Sequence, residues 1–154
     1  MTILPDPFSS FSNILLTALG DALHPEAATF LDMVADDVVM EFPYAPDGAV
    51  KEVRGKSALA EYLSAVGSLI QIKSMTLSAV YPASQAGIFI LEFTGSGVGT
   101  QTGIPYEQSY ISVISIEAGR ILRYRDYWNP LVAQKAMGKD AIIATPIENA
   151  VNAA

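Results

Sequence analysis

Apolar residues recur three and four positions apart through Phe8, Phe11, Leu15, Ala18, Leu19 and Ala22, which predicts a first helix. Asp6 and Pro7 ahead of them read as its N-cap and first helical position. Pro25 is expected to open a second, short helix with Phe30, Leu31 and Val34 turned inward. The pattern then changes to period two. Over residues 36–44, Val38, Met40, Phe42 and Tyr44 fall on one side, and Val39 and Glu41 on the other. Glu41 is expected to face solvent. Residues 45–55 are rich in turn formers and read as a loop. Helical spacing returns over 56–67, with Leu59, Tyr62, Leu63 and Val66 on a stripe and Gly67 as its stop.

The second half alternates. Strands are predicted over 73–81, 86–95, 106–116 and 120–128, separated by turn signals at Pro82, Gly103, Pro105 and 117–119. A last helix has Asn129 as N-cap, Pro130 at its first position and Gly138 as its stop. Residues 139–154 are small and weakly patterned, and read as a flexible tail or an arm laid on a neighbour. Helices first and hairpins later predict an α+β domain. A sheet with one apolar face must be covered on that face, so the early helices are expected to close a cone against a curved antiparallel sheet.

Within that scheme the stretch RYRDYWNP, 123–130, raises a chemical question. Leu122, Tyr124, Asp126 and Trp128 share one side of the last strand, and Arg123, Arg125 and Tyr127 the other. Asp126 is therefore an acid on an apolar face. Burial disfavours the charged form and raises a carboxyl's pKa, which suits general acid–base work. The alternative is a structural carboxylate paired with an arginine or with backbone donors near Asn129. Glu92 shares a side with Ile88 and Ile90, so it is a second acid that could point inward. Tyr44, Tyr62 and Tyr110 could each donate a phenolic hydrogen bond to a ligand or serve as ordinary core rings.

Composition narrows the classes. The 154 residues fit one domain, 51% hydrophobic and 16% charged, which excludes disorder and leaves apolar surface for a core, a cavity or a subunit interface. Nine Lys and Arg stand against sixteen Asp and Glu, with no basic run, which argues against nucleic acid and anionic membrane surfaces. There is no cysteine, hence no thiol nucleophile or thiolate metal site. No signal peptide or apolar span is evident, so a soluble, cytoplasmic protein is expected.

Other motifs carry less. The glycine cluster at 95–103 is not a dinucleotide fingerprint, and no helix follows it; it reads as a bulged or flexible hairpin connection. Gly55-Lys56-Ser57 lacks the earlier glycine of a phosphate loop. His24 is the single histidine, which precludes a histidine metal cluster, and it reads as a solvated or capping residue. Asp36 and Asp37 read as turn and capping residues at a helix-to-strand junction.

The order of elements, with VADDVVMEFPYAP, VRGKSALAEYL and GRILRYRDYWNPL, resembles the SnoaL-like group of the nuclear transport factor 2-like, ketosteroid isomerase-like superfamily. The resemblance covers about residues 8–138. It implies a cone-shaped α+β barrel, cystatin-like, with a strongly curved antiparallel sheet wrapped over three N-terminal helices. It also implies a homodimer with a deep apolar pocket in each cone. The group includes isomerases, polyketide cyclases, dehydratases, epoxide hydrolases, the phenazine-biosynthesis A/B proteins and non-catalytic binding proteins. The isomerase base just before the proline of the first strand is replaced here by Phe42, ahead of Pro43. The second isomerase acid would fall near Tyr110 or Ile111. The acid that precedes the Asn-Pro of the last strand in the phenazine-biosynthesis proteins corresponds to Asp126, but their companion histidine has no match.

Residues and resemblance together lead to one expectation. A cofactor-free enzyme, with no metal, would act on a small apolar, cyclic or carbonyl-bearing metabolite. Asp126 would shuttle a proton, Tyr44 or Tyr110 would hold the substrate oxygen, and Phe42, Tyr124 and Trp128 would form an apolar wall, with Glu92 nearby. The alternatives are a binding protein with the same pocket, or a structural dimer whose pocket is filled by its own side chains.

Overall fold

The computed structural model describes residues 7–138. Its helices are α1 (Ser9–Leu19), α2 (Phe30–Met33), α3 (Lys56–Leu69) and α4 (Pro130–Met137). Its strands are β1 (Val34–Glu41), β2 (Glu52–Arg54), β3 (Ile70–Pro82), β4 (Ile88–Gly99), β5 (Pro105–Glu117) and β6 (Arg120–Trp128). They form one curved six-stranded sheet in the order β2-β1-β6-β5-β4-β3. The predicted α+β class holds. The sheet is antiparallel except that β1 runs parallel to β6, so it is mixed. The chain leaves β1, passes through every other strand, and returns along its flank.

The helices cover the concave face. Helix α1 lies on β3, α3 on β1, β2 and β3, and α4 on β5 and β4. Phe11, Leu15, Phe30, Leu59, Phe93 and Tyr124 are all buried between helices and sheet. No helix among the described residues is long and apolar enough to cross a membrane.

Several boundaries differ from the periodic reading. Helix α1 begins at Ser9, after a turn at Pro7 and Phe8, and Asp6 lies outside the described residues. Helix α2 begins at Phe30, not at Pro25, because Thr29 and Asp32 form a reciprocal capping box there. The donors from Thr29 and Ala28 hold the Asp32 carboxyl below its ordinary pKa. His24 donates at Nε2 to the Asp32 carbonyl, 2.8 Å away, and is part-buried rather than fully solvated. Helix α3 runs through Gly67 to Leu69 and passes directly into β3. Strand β2 was not anticipated, because three residues are too short to show a period; Val53 within it is fully buried. Asp36 and Asp37 are exposed residues of β1, in an irregular stretch between Val34 and Val39, and not caps. Glu41 is only partly exposed, and Arg123 on the neighbouring strand pairs with it and lowers its pKa.

The glycine cluster is the clearest correction. Gly95, Gly97 and Gly99 are strand residues of β4, not a hairpin connection. A Cβ at Gly97 would sit 2.1 Å from the Gln71 carbonyl oxygen, and one at Gly99 would sit 1.9 Å from that of Ala136. The glycines allow β3 and α4 to approach β4 where the sheet bends. Gly97→Ala is therefore expected to destabilise the protein by about 1–3 kcal/mol through overpacking. Gly103→Ala, which has positive φ but open space around it, should lose roughly 1 kcal/mol. Urea unfolding of both variants checks the ranking; equal losses would remove close approach as the reason for Gly97.

Candidate active site

Strand β6 brings Asp126 to the concave face by a change of parity. Ile116 pairs with Ile121, but Ser115 pairs with Arg123, so Leu122 is an extra residue in β6. Ile121, not Leu122, fills the inward place at that end and is fully buried. Beyond the bulge Tyr124, Asp126 and Trp128 face inward, and Arg123 and Arg125 face out. The aromatic and acidic face predicted for 124–128 is present, and only Leu122 leaves it.

Asp126 lines a half-open cavity of about 90 Å³ in the cone. Phe8 ahead of α1, Phe11 within it, and Tyr62, Leu63 and Val66 of α3 close one side. Met40 and Phe42 come from the β1 side, Met75 and Phe93 from β3 and β4, and Tyr106 and Tyr110 from β5. Trp128, Ala133 and Met137 complete it. Phe42 stacks on Tyr62 at 4.8 Å between ring centroids, and Phe93 on Tyr110 at 4.7 Å.

Asp126 is half-buried, and it lines this cavity among rings and aliphatic side chains. Removal from bulk water pushes its pKa up to about 7, against the pull of one donor, Ser112. Ser112 stands opposite Asp126 on β5 and is fully buried. Its hydroxyl donates to Asp126 Oδ1 at 3.3 Å and lies 2.7 Å from the Tyr124 hydroxyl. Ser112 has a single proton. When it donates to Asp126, Tyr124 must donate to Ser112, and the three form a directed chain. Tyr106 and Tyr110, four residues apart on one face of β5, share a hydrogen bond of 2.7 Å between hydroxyls. That bond uses one of their two protons, so the other O–H is left to donate. Burial raises Tyr106 to about 12 and lifts Tyr62, Tyr110 and Tyr124 well above the ordinary phenol value, so all four are neutral donors. The described residues hold no cluster of three or more metal-ligating side chains.

The expected site residues divide. Phe42, Tyr110, Asp126 and Trp128 meet in the cavity. Tyr124 does not line it; it lies beneath, fully buried against Phe11 and Phe30, and reaches Asp126 through Ser112. Tyr44 is placed elsewhere. Strand β1 ends at Glu41, Pro43 breaks the alternation, and Tyr44 is 61% exposed against Tyr127. Glu92 is also elsewhere. It pairs with Ala79 and Ile111, while Leu91 and Phe93 on either side are buried, so Glu92 faces out of the cone. Ser112 and Tyr106 were missed as site residues. Tyr106 falls on the same face as Tyr110 by simple alternation, a usable signal, whereas Ser112 depends on the bulge.

A carboxyl raised from 3.8 to about 7 makes stability depend on pH. Between these values the unfolded chain loses the proton and the folded chain keeps it, so this group's effect is falling stability as pH rises. Below about 4 and above about 7 the two states match and the effect is flat. Asp126→Asn should remove that fall and stabilise the protein at pH 8 by a few kcal/mol. Urea midpoints from pH 4.5 to 8 check it; parallel profiles for the two proteins would show an Asp126 with an ordinary pKa.

Comparison with known proteins follows the same lines. Residues 20–124 match the model of the SnoaL-like domain. YesE, an uncharacterized protein of Bacillus subtilis, is 38% identical over 136 residues, covering 88% of this chain and 92% of YesE. An uncharacterized PhzA/B-like protein of Pseudomonas aeruginosa is 33% identical over 125 residues, covering 81% and 88% of the two chains. A crystal structure from Bacillus subtilis, provisionally described as an isomerase, aligns with a TM-score of 0.69 at 36% identity, covering 87% of this chain and 96% of its own. A phenazine biosynthesis-related protein of Pseudomonas aeruginosa shares the fold at 17% identity, with a TM-score of 0.59 and coverage of 85% and 86%. With two thirds of its length inside the family model and relatives above 30% identity along most of it, the chain belongs to the SnoaL-like family.

Proposed function

We propose that this protein is an acid–base enzyme of the isomerase, cyclase, dehydratase or condensation type, acting in the cytoplasm on a small apolar, cyclic or carbonyl-bearing metabolite. The observation that carries the reading is Asp126, a carboxyl half-neutral near pH 7, set in an apolar cavity with one hydrogen-bond donor. A group with a pKa near the working pH both accepts and returns a proton with little loss in either direction. In the simplest step the Asp126 carboxylate takes a proton from the carbon next to a carbonyl. The C–H electron pair moves into the enolate and its charge onto oxygen. The leftover O–H of the Tyr106–Tyr110 pair, or that of Tyr62, donates to that oxygen. The proton on Asp126 then returns to another carbon of the substrate or to its oxygen. Phe42 and Trp128 pack on the hydrocarbon part and keep water away. The chemistry is proton transfer throughout, and this chain's own side chains supply it.

We further propose that the protein acts as a homodimer through the outer face of the sheet. That face exposes Ile111 and Tyr81, at 45% and 50%, beside the partly buried Ile90 and Val113. Ile111→Asp would place a charge in such an interface. Sedimentation should show a dimer for the wild type and a monomer for the variant; a monomeric wild type would remove the dimer.

The reaction is tested by incubating the protein in deuterium oxide with a panel of cyclic ketones and following loss of the α-proton signals by NMR. The rate should rise with pH through about 7, as Asp126 ionises, and level off above it. Asp126→Asn should lower it by roughly 10²–10⁴-fold. Exchange at the wild-type rate in Asp126→Asn, or none with any ketone, would overturn the reading.

A further inference from the structure

The walls of the Asp126 cavity are rich in rings, and the described residues that form them carry no positive charge. Trp128, Phe42 and Tyr62 stand together, with Trp128 and Phe42 6.3 Å apart and Phe42 and Tyr62 stacked. Phe93 and Tyr110 form a second stack, and Phe11 lies 6.0 Å from Phe93. Aromatic faces carry negative potential and attract organic cations, tryptophan most strongly. The groups facing Asp126 can be followed element by element. Strand β5 offers the phenols of Tyr106 and Tyr110, and α3 that of Tyr62; β6 offers Tyr124 from beneath, through Ser112. Helix α1, β1, β3, β4 and α4 contribute only apolar side chains to the lining. Among the described residues no Lys, Arg or His lines the cavity, and Lys135 of α4 is exposed. Among them the ionised carboxylate therefore has one long hydrogen bond and no cationic partner.

We propose that this cavity takes a small organic cation, a protonated or quaternary alkylamine, with its charge beside Asp126 and its methyl groups against Phe42, Tyr62 and Trp128. The size fits. At about 90 Å³ the cavity is smaller than the roughly 150 Å³ void that admits benzene in a protein core, which limits the guest to one compact head group and excludes a long chain. The chemistry selects within the cations. A bare divalent ion needs several oxygen ligands, and a single carboxylate does not supply them. A quaternary ammonium needs no hydrogen bonds; its requirements are an opposite charge and aromatic rings, and both line the cavity. Anions are disfavoured by the same carboxylate and ring faces. The inference rests on the cavity and not on the proposed reaction, since a cation can bind without turnover.

Binding is coupled to ionisation of Asp126. A guest cation favours the carboxylate, so it expels the proton from molecules that carry one. Apparent affinity should rise about tenfold per pH unit below the carboxyl's pKa and level off above it. The chain's single tryptophan, Trp128, reports from the cavity wall, so its fluorescence follows occupancy. Tetramethylammonium chloride is titrated from pH 5 to 9, with sodium chloride at matched ionic strength and tert-butanol as a neutral probe of similar shape. Saturable quenching or enhancement is expected with tetramethylammonium only, with that pH dependence. Asp126→Asn should bind at least tenfold more weakly at pH 8 and show no pH dependence. Equal binding of tert-butanol, pH-independent binding or no saturable change would each overturn the inference; the pH series on the wild type decides even if the variant fails to fold. Ketone exchange without cation binding would leave the acid–base reading standing and sink this one. Cation binding without exchange would do the reverse.

Discussion

One residue of slip in β6 sets what the interior of this cone contains. Ile121 is fully buried, and strict alternation from it would turn Arg123, Arg125 and Tyr127 inward. Two arginines would then enter a space lined by rings, while Tyr124, Asp126 and Trp128 faced solvent. The extra residue at Leu122 reverses this over seven residues. It keeps Ile121 in the core at one end of the strand and delivers Asp126 and Trp128 to the cavity at the other. The outward arginines gain as well, since Arg123 then meets Glu41 across the β1–β6 pair. A bulge is a modest local loss of ladder pairing, and here it fixes both the sign and the position of the charge in the interior.

The charge so placed is costly, and the surroundings distribute the cost. A buried carboxylate without a partner is unfavourable, so Asp126 keeps its proton toward neutral pH. The Ser112–Tyr124 pair orients the group without stabilising its charged form strongly. One hydroxyl at 3.3 Å is a weak donor beside the two backbone N–H groups that hold Asp32 down at the capping box. The two acids illustrate the same physics from opposite sides. Asp32 has donors and water, and its pKa falls; Asp126 has rings and one hydroxyl, and its pKa rises. An arginine salt bridge to Asp126 would give a more settled structure and a less responsive acid.

Most of this fold was legible, and the failures have local causes. Period three-to-four in the first third and period two in the rest located three of the helices and every long strand. Asp126 stood out because an acid between Tyr124 and Trp128 breaks an apolar face, and that face survives the bulge. Ser112 did not stand out for a geometric reason. Counting back from the turn at Ala118 and Gly119 without a bulge sets Ile111 opposite Asp126; the inserted Leu122 moves the partner to Ser112. Tyr44 and Glu92 failed in different ways. Alternation was carried past Pro43, where the strand has ended. For Glu92 the parity was right, and its companions Ile88 and Ile90 were taken as a core face when they lie on the outer one. Apolar content alone does not tell the inside of a curved sheet from an outside that is itself apolar. The glycines of β4 were legible as glycines, but their reason lies in Gln71 and Ala136, far away in sequence.

The parallel pairing of β1 with β6 also bears on why family membership leaves the reaction open. The resemblance sets the isomerase base just before the proline that follows the first strand, a place held here by Phe42, buried and stacked on Tyr62. Met40 on β1 is the partner of Tyr124 on β6. Two residues further along each parallel strand lie Phe42 and Asp126, and both line the same cavity. A carboxyl at either place therefore serves one space from adjoining strands. On β5, the strand next to β6, the Tyr106–Tyr110 pair faces the same space. One shell thus admits different groups at equivalent inward places, and the fold by itself leaves the chemistry inside it free.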